Sequence, residues 1–348
     1  MFELAGSELA ELFAQEFELC AVNSRETVVV LAESASRPDY VAAAFGAARR
    51  HGAAVSVVTL PAGSPAPLPS VRTGTGYGLV SLDANRPVLD LLKSTDFVMD
   101  LTLEGFIHAP VMGEILGAGT RVLYACEPPE ILARTMPTAA DKAQAEAAAD
   151  RIRGASTMTV TSAAGTHLTA DLTDSHPGYQ CGFTDDPGRW DHWPSKMALC
   201  WPDGDRVHGT LVLQPNDIVF PFKTYVEAPV RLTIEAGRIV GVEGGREAAM
   251  LEGFFADSGD PAARFTSHMG WGLQENADWW SLGMYDKETV MGMDGRCAEG
   301  NFLISTGPHP FKDRHTPYHL DVPMRGCSVS LDGVPVTVDG RLAAPATV

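Results

Sequence analysis

Apolar and polar positions in the first 150 residues alternate between two periods. Leu4, Leu9, Leu12, Phe13 and Phe17 recur at helical spacing with Glu between them, which predicts an amphipathic helix up to Leu19. Thr27-Val28-Val29-Val30-Leu31-Ala32 follows, apolar throughout and β-branched, as suits a parallel strand buried on both faces. Ser36-Arg37-Pro38-Asp39 opens a second helix, with Pro38 tolerated in its first turn, and Val55 to Leu60 is a second strand. The stretch from Pro61 to about Gly78 is rich in Pro and Gly and reads as an exposed loop. A short helix from Val88 to Lys93, a strand from Asp96 to Leu101, a helix from Ala109 to Leu116 and a strand from Arg121 to Cys126 continue the alternation. An Ala-rich helix from about Ala139 to Arg153 closes this half. Strands alternating with helices predict an α/β domain on a parallel sheet.

After Gly154 the texture changes. Thr157 to Thr161 and His167 to Leu172 flank Ala163-Ala164-Gly165 as a hairpin. Further strands are predicted over Val207 to Leu213, Asp217 to Phe222, Val230 to Ile234, Ile239 to Val242, Leu303 to Thr306, Cys327 to Leu331 and Val334 to Val338. A helix lies between Gly245 and about Arg264. The second half is therefore α+β, dominated by antiparallel strands, and the expected division is 1–155 and 156–348.

Composition narrows the possible partners. With 44 acidic against 26 basic residues the net charge is -18, and no Lys/Arg cluster interrupts it, which excludes nucleic acid and an anionic membrane surface as expected partners. No apolar run reaches the roughly 18 residues of a membrane span. The acidic start lacks the basic and apolar regions of a secretory signal. Six scattered cysteines form no C-x-x-C pair and read as reduced thiols of a cytoplasmic protein. G-x-G-x-x-G, G-x-S-x-G, the phosphate-binding G-x-x-x-x-G-K-[ST] and H-E-x-x-H are all absent.

Histidine is the residue that suggests chemistry. Four of ten fall between His268 and His319. In His319-Leu320-Asp321 an imidazole and a carboxylate stand two residues apart, on one face if the run is extended. They could grip a metal ion, make an ordinary strand hydrogen bond, or stand as ligand and orienting partner. His268, in Ser267-His268-Met269-Gly270-Trp271-Gly272, is the candidate third ligand, or else a core histidine beside Trp271, Trp279 and Trp280. Two histidines and a carboxylate with open positions is a set that binds Fe(II) for oxygen chemistry. His319 is preferred over His315 because it shares a face with Asp321. His108 follows the third strand of the α/β half, where ligands of open sheets bind, and fits a general acid or base or a surface histidine. Trp190-Asp191-His192-Trp193-Pro194-Ser195 reads as pocket lining, and Asp191 or His192 could replace one of the three ligands. Glu227, Glu275, Asp278 and Glu299 are further carboxylates without a spacing argument.

Gly105-Phe106-Ile107-His108, Arg189 to Ser195, Ser267 to Gly272 and His319-Leu320-Asp321, in that order, resemble the 2,5-dihydroxypyridine 5,6-dioxygenase family over about residues 25 to 340. That family is related to thermophilic-type two-metal aminopeptidases and shares their two-domain layout. The resemblance implies that His268, His319 and Asp321 ligate a single Fe(II) cofactor and that His108 transfers protons. It also suggests a homo-oligomer. His192, Trp271 and Ser305 are the residues expected to contact substrate. The implied reaction opens 2,5-dihydroxypyridine with O2 between carbons 5 and 6, giving N-formylmaleamic acid in nicotinic acid breakdown. The peptidases carry a metal-binding glutamate after Pro-Ser/Thr. Here Pro194-Ser195 is followed by Lys196-Met197, which disfavours two-metal peptide hydrolysis, the main rival, since a thioether cannot replace a bridging carboxylate. A binding protein that keeps the fold without catalysis is the other alternative.

Overall fold

The structure, a computed structural model, describes residues 4–62, 82 and 85–344. Contacts divide the chain into two units. The first comprises Met1–Lys142, Gln180–Ser195 and Gly283–Met293; the second comprises Ala143–Tyr179, Lys196–Leu282 and Asp294–Val348. The sequence suggested one crossing near residue 155. Instead the chain returns twice to the first unit, because strand pairing joins segments far apart in sequence and leaves no compositional mark. The Pro- and Gly-rich loop expected up to Gly78 lies, from residue 63, outside the described residues.

The first unit is built on five parallel strands. Its helices and strands run α1 (Gly6–Leu19), β1 (Thr27–Glu33), α2 (Pro38–Arg50), β2 (Ala54–Leu60), α3 (Arg86–Lys93), β3 (Phe97–Asp100), α4 (Val111–Gly117), β4 (Arg121–Ala125) and α5 (Pro129–Arg134). Helix α6 (Ala139–Arg153) spans the division between the units. The sheet order is β2-β1-β3-β4-β8, where β8 (Trp190–Trp193) comes from the returning segment and pairs in parallel with β4. Residues 190–193, expected as pocket lining, thus form an edge strand of this sheet. Six of the seven residues of β1 are buried, as its continuous apolar run requires. One face of the sheet packs Val29, Leu31, Val98 and Val122 against Phe106, Met112 and Ile115. Phe13 and Phe17 of α1 are fully buried against Trp193 and Phe97, and each such side chain contributes about 1.5–3 kcal/mol by leaving water.

The second unit holds two sheets. Eight antiparallel strands in the order β14-β13-β10-β6-β5-β18-β19-β20 form the larger. They are β5 (Thr157–Ser162), β6 (His167–Asp171), β10 (Val207–Leu213), β13 (Val230–Glu235), β14 (Arg238–Gly244), β18 (Cys327–Leu331), β19 (Val334–Val338) and β20 (Arg341–Leu342). Strands β17 (Leu320–Met324), β16 (Phe302–Thr306), β15 (Thr266–Gly272), β9 (Met197–Trp201) and β7 (His176–Gln180), in that order, form the smaller. A two-stranded hairpin, β11 (Ile218–Val219) with β12 (Thr224–Tyr225), and helices α7 (Arg246–Ser258) and α8 (Met293–Cys297) complete it. Both halves carry the predicted classes, α/β with a parallel sheet and α+β with antiparallel strands.

Strand β15 is buried at all seven positions. A Cβ on Gly270 would stand 1.9 Å from the Ala198 carbonyl oxygen, so only glycine lets β9 and β15 come this close. All six cysteines are buried as free thiols. Among the described residues no helix is long and apolar enough to cross a membrane.

Candidate metal centre

Three adjacent strands of the smaller sheet bring the expected ligands of the second unit together. On β15 the register against β16 shifts between Thr266 and Met269, a bulge that re-aims the side chains around His268. The His268 amide donates to Ser305 Oγ at 2.8 Å, and Ser305 Oγ donates to the His268 carbonyl at 3.0 Å. Ser305 in turn pairs with Asp321 across β16 and β17. His319 stands one residue before β17, two from Asp321.

The ring nitrogens and the carboxylate converge. His319 Nδ1 lies 2.8 Å from the Thr306 carbonyl oxygen. A carbonyl only accepts, so Nδ1 carries the proton and Nε2 of the neutral ring presents a lone pair. That Nε2 is 3.2 Å from Asp321 Oδ1, and His268 Nε2 is 3.8 Å from the same oxygen. The two rings offer nitrogens within 4.8 Å of each other. Asp321 Oδ1 is buried and makes no aligned hydrogen bond, while Oδ2 accepts from Arg296 Nε at 2.7 Å. Lone pairs facing a carboxylate oxygen repel unless a proton or cation stands between them. A cation with bonds of about 2.1 Å holds ligand atoms at right angles roughly 3 Å apart. The separations of 3.2 and 3.8 Å lie within the roughly 4.2 Å that two such bonds can span, so these residues are compatible with holding one divalent ion, and the N2O donor set suits iron among other transition metals.

Electrostatics favour the ligating forms. Burial pushes the His268 imidazole down to about 3, against the opposing pull of Asp321, so the ring is neutral. Burial alone would raise the Asp321 carboxyl, but the cationic charge around it, that of the Arg296 guanidinium on Oδ2 included, outweighs it and holds the group well below the usual carboxylate range. Arg296, which the sequence reading did not single out, lies on α8 with its guanidinium 3.7 Å from the centre of the Phe220 ring. Trp201, at the end of β9, lies edge-on to His268 at 5.7 Å and was also missed.

Other expected residues lie elsewhere. His315 is bound to Asp313 at 3.0 Å, which leaves His319 as the imidazole beside Asp321. Trp271 pairs with Phe302, and Phe302 with Met324, whereas Gly270 pairs with Leu303 and Ser305 with Asp321. Paired residues share a face and neighbours alternate, so Trp271 lies on the face opposite Ser305 and Asp321. The expectation that it lines the pocket of His268 is corrected on that ground. Trp279 and Trp280 pack against Arg325 at 5.6 and 5.4 Å. Met197 pairs with Gly272, and Lys196 binds Glu275 at 2.8 Å, so no carboxylate occupies the position that is a metal-binding glutamate in two-metal peptidases. His108 and His192 belong to the first unit. His108 is half-buried in the turns after β3. His192 is buried on β8, 4.7 Å from Tyr124 ring to ring. Asp191 is committed to structure: it accepts from the amides of Cys181, Gly182 and His192 and from Arg189.

A sequence profile described as 2,5-dihydroxypyridine 5,6-dioxygenase matches residues 8–344. The chain belongs to this family. It is 39% identical over 345 residues to a 2,5-dihydroxypyridine 5,6-dioxygenase of Pseudomonas putida, covering 98% of each chain. Its fold matches a solved structure of the 2,5-dihydroxypyridine dioxygenase from Pseudomonas putida KT2440 with a TM-score of 0.94 at 39% identity, over 99% of both chains. Wild-type AmpT from Thermus thermophilus matches with a TM-score of 0.58 at 14% identity, over 98% of this chain and 100% of that one. This second likeness concerns the fold alone, and it agrees with the aminopeptidase-like architecture expected from the sequence.

Proposed function

We propose that the chain opens the ring of 2,5-dihydroxypyridine between carbons 5 and 6 with O2, using one Fe(II) held by His268, His319 and Asp321. The observation that carries the reading is the convergence of two imidazole nitrogens on the one buried oxygen of Asp321 that makes no hydrogen bond. Bound there, Fe(II) would offer open positions to a substrate oxygen and to O2 and lend electron density to the oxygen.

The chain's own groups do the rest. Arg296 occupies Asp321 Oδ2, which reserves Oδ1 for the metal. Thr306 fixes the His319 tautomer and Ser305 fixes the backbone at His268. His108 takes the proton of the substrate hydroxyl and returns it to the opening ring, a role suited to a neutral imidazole near pH 7. His192 and Ser305 are the polar contacts assigned to the substrate. The product is N-formylmaleamic acid, within nicotinic acid degradation, and the working form is a cytoplasmic homo-oligomer.

The test is direct. Protein purified without oxygen and loaded with Fe(II) is mixed with 2,5-dihydroxypyridine in an oxygen electrode, and metal per chain is measured alongside. One iron per chain with one O2 consumed per substrate is expected. No O2 uptake with 2,5-dihydroxypyridine or a small panel of hydroxypyridines and hydroxybenzoates would sink the reading. Two metals per chain with release of an amino acid from peptides would support an aminopeptidase instead.

A further inference from the structure

One row of the parallel sheet in the first unit runs Leu31, Asp100, Tyr124, His192, each in register with the next. Neighbours in such a row share a face, and the Tyr124 ring lies 4.7 Å from the His192 ring. The same ring lies beneath the segment that leads to His108. Gly105 has φ +64, and a Cβ there would stand 3.1 Å from the Tyr124 ring carbons. Tyr124 Oη donates to the Leu103 carbonyl at 2.9 Å. Asp100, next in the row, accepts from the Thr102 amide at 3.0 Å and from its hydroxyl at 2.6 Å. Thr102 Oγ1 accepts from the Gly105 amide at 3.2 Å, and Phe106 is fully buried in the core. The backbone before His108 is thus held at residues 102, 103, 105 and 106.

We propose that Tyr124 is a positioning residue for both histidines of the first unit. It sets the height of the His108 segment through Gly105 and Leu103, and it sets the plane of His192 through its ring. The inference rests on the proton-transfer role proposed for His108. Tyrosine suits the position because one side chain supplies both a flat face that a Cβ at residue 105 would crowd at 3.1 Å and a hydroxyl that reaches a carbonyl two residues away. Phenylalanine would keep the first property and lose the second.

The experiment compares Tyr124→Phe, Gly105→Ala, the double variant and His108→Ala in the Fe(II)-loaded enzyme. Readouts are kcat, KM, the pH dependence of kcat, iron per chain and thermal midpoint. Tyr124→Phe is expected to lower kcat about fivefold, the weight of one lost neutral hydrogen bond, with iron content unchanged. Gly105→Ala is expected to lower kcat by more than about tenfold, since small misplacements of a reacting group are costly. The double variant should be no worse than Gly105→Ala, because both changes displace the same segment. The limb of the pH profile that disappears in His108→Ala should shift in Tyr124→Phe, which a purely structural role would not cause. If His108→Ala is inactive while Tyr124→Phe and Gly105→Ala keep the wild-type kcat and pH profile, the positioning role is wrong and the proton-transfer reading stands. If His108→Ala keeps wild-type turnover, the proton-transfer reading fails and takes this inference with it. Should Tyr124→Phe fail to fold, Gly105→Ala carries the same comparison.

Discussion

Replacing Arg296 by methionine tests the electrostatics of the proposed metal centre. The change keeps an apolar stem against Phe220 and removes the guanidinium from Asp321. Both side chains are almost wholly buried, at 6% and 4% exposure, and their atoms are 2.7 Å apart. Removing one partner of such a pair strands the other charge, at a cost of about 3–5 kcal/mol. Loss of the cation over the Phe220 ring adds roughly 0.5–2 kcal/mol. Methionine packing offsets part of this, which leaves about 3 kcal/mol for the metal-free protein. At roughly 2 °C per kcal/mol for a chain of this size, the thermal midpoint should fall by about 6 °C. A divalent cation supplies the missing positive charge, so Fe(II) should restore most of the difference, with the loaded variant within about 2 °C of the loaded wild type. Anaerobic differential scanning fluorimetry with and without Fe(II) reads all four states. Equal midpoints for the two metal-free proteins would refute the argument, and so would an undiminished deficit after loading, because Asp321 would then not be the group that the metal and Arg296 share.

Other outcomes follow from the same geometry. Asp321→Asn should fold normally by circular dichroism yet bind Fe(II) more than about tenfold more weakly in a chelator competition. Ser305→Ala removes the hydroxyl that both accepts from and donates to the His268 backbone, and iron affinity should fall roughly tenfold while the thermal midpoint drops by a few degrees at most. Gly270→Ala forces β9 away from β15 and should cost about 3 kcal/mol or prevent soluble expression, as denaturant titration would show. Burial pushes the Asp217 carboxyl up to about 7, although the Arg325 and Gln214 amides pull the other way. With its folded value above its unfolded one, the native state holds the extra proton between about pH 4 and pH 7, and stability falls as pH rises through that window. Urea titrations of Asp217→Asn should therefore give a flatter pH profile than wild type from pH 4 to 7; parallel profiles would exclude the group as the cause.

The two fold classes were legible because each rests on local pattern. The continuous apolar run of β1 and the alternation in β5 and β6 report burial on two faces and on one. The membership of β8 in the first sheet was not legible, since its partner β4 lies some 65 residues earlier and parallel pairing leaves no local signal. At the metal centre the spacing of His319 and Asp321 was readable as a shared face. The approach of His268, 51 residues earlier, depends on the register of β15 through β17 and on a bulge; the sequence offered it as a third ligand or a core histidine, and the family likeness favoured the ligand. Trp271 could have been placed from its odd spacing relative to Gly270 and Gly272, which a strand assignment for Ser267 to Gly272 would have exposed. Arg296 sits on a five-residue helix, with no periodicity to mark it.

The buried thiols bear on how such a protein ages in the presence of oxygen. Burial pushes Cys200 and Cys327 up to about 12, and all six sulfurs are withheld from solvent. Oxidation to sulfenic acid begins from an accessible thiolate, so these positions are slow to enter that ladder. A thiol reagent should count none in the native protein and six after unfolding. Among the described methionines, oxidative wear would first register on Met284, which is 67% exposed, as a roughly 16-dalton sulfoxide that reductases can reverse.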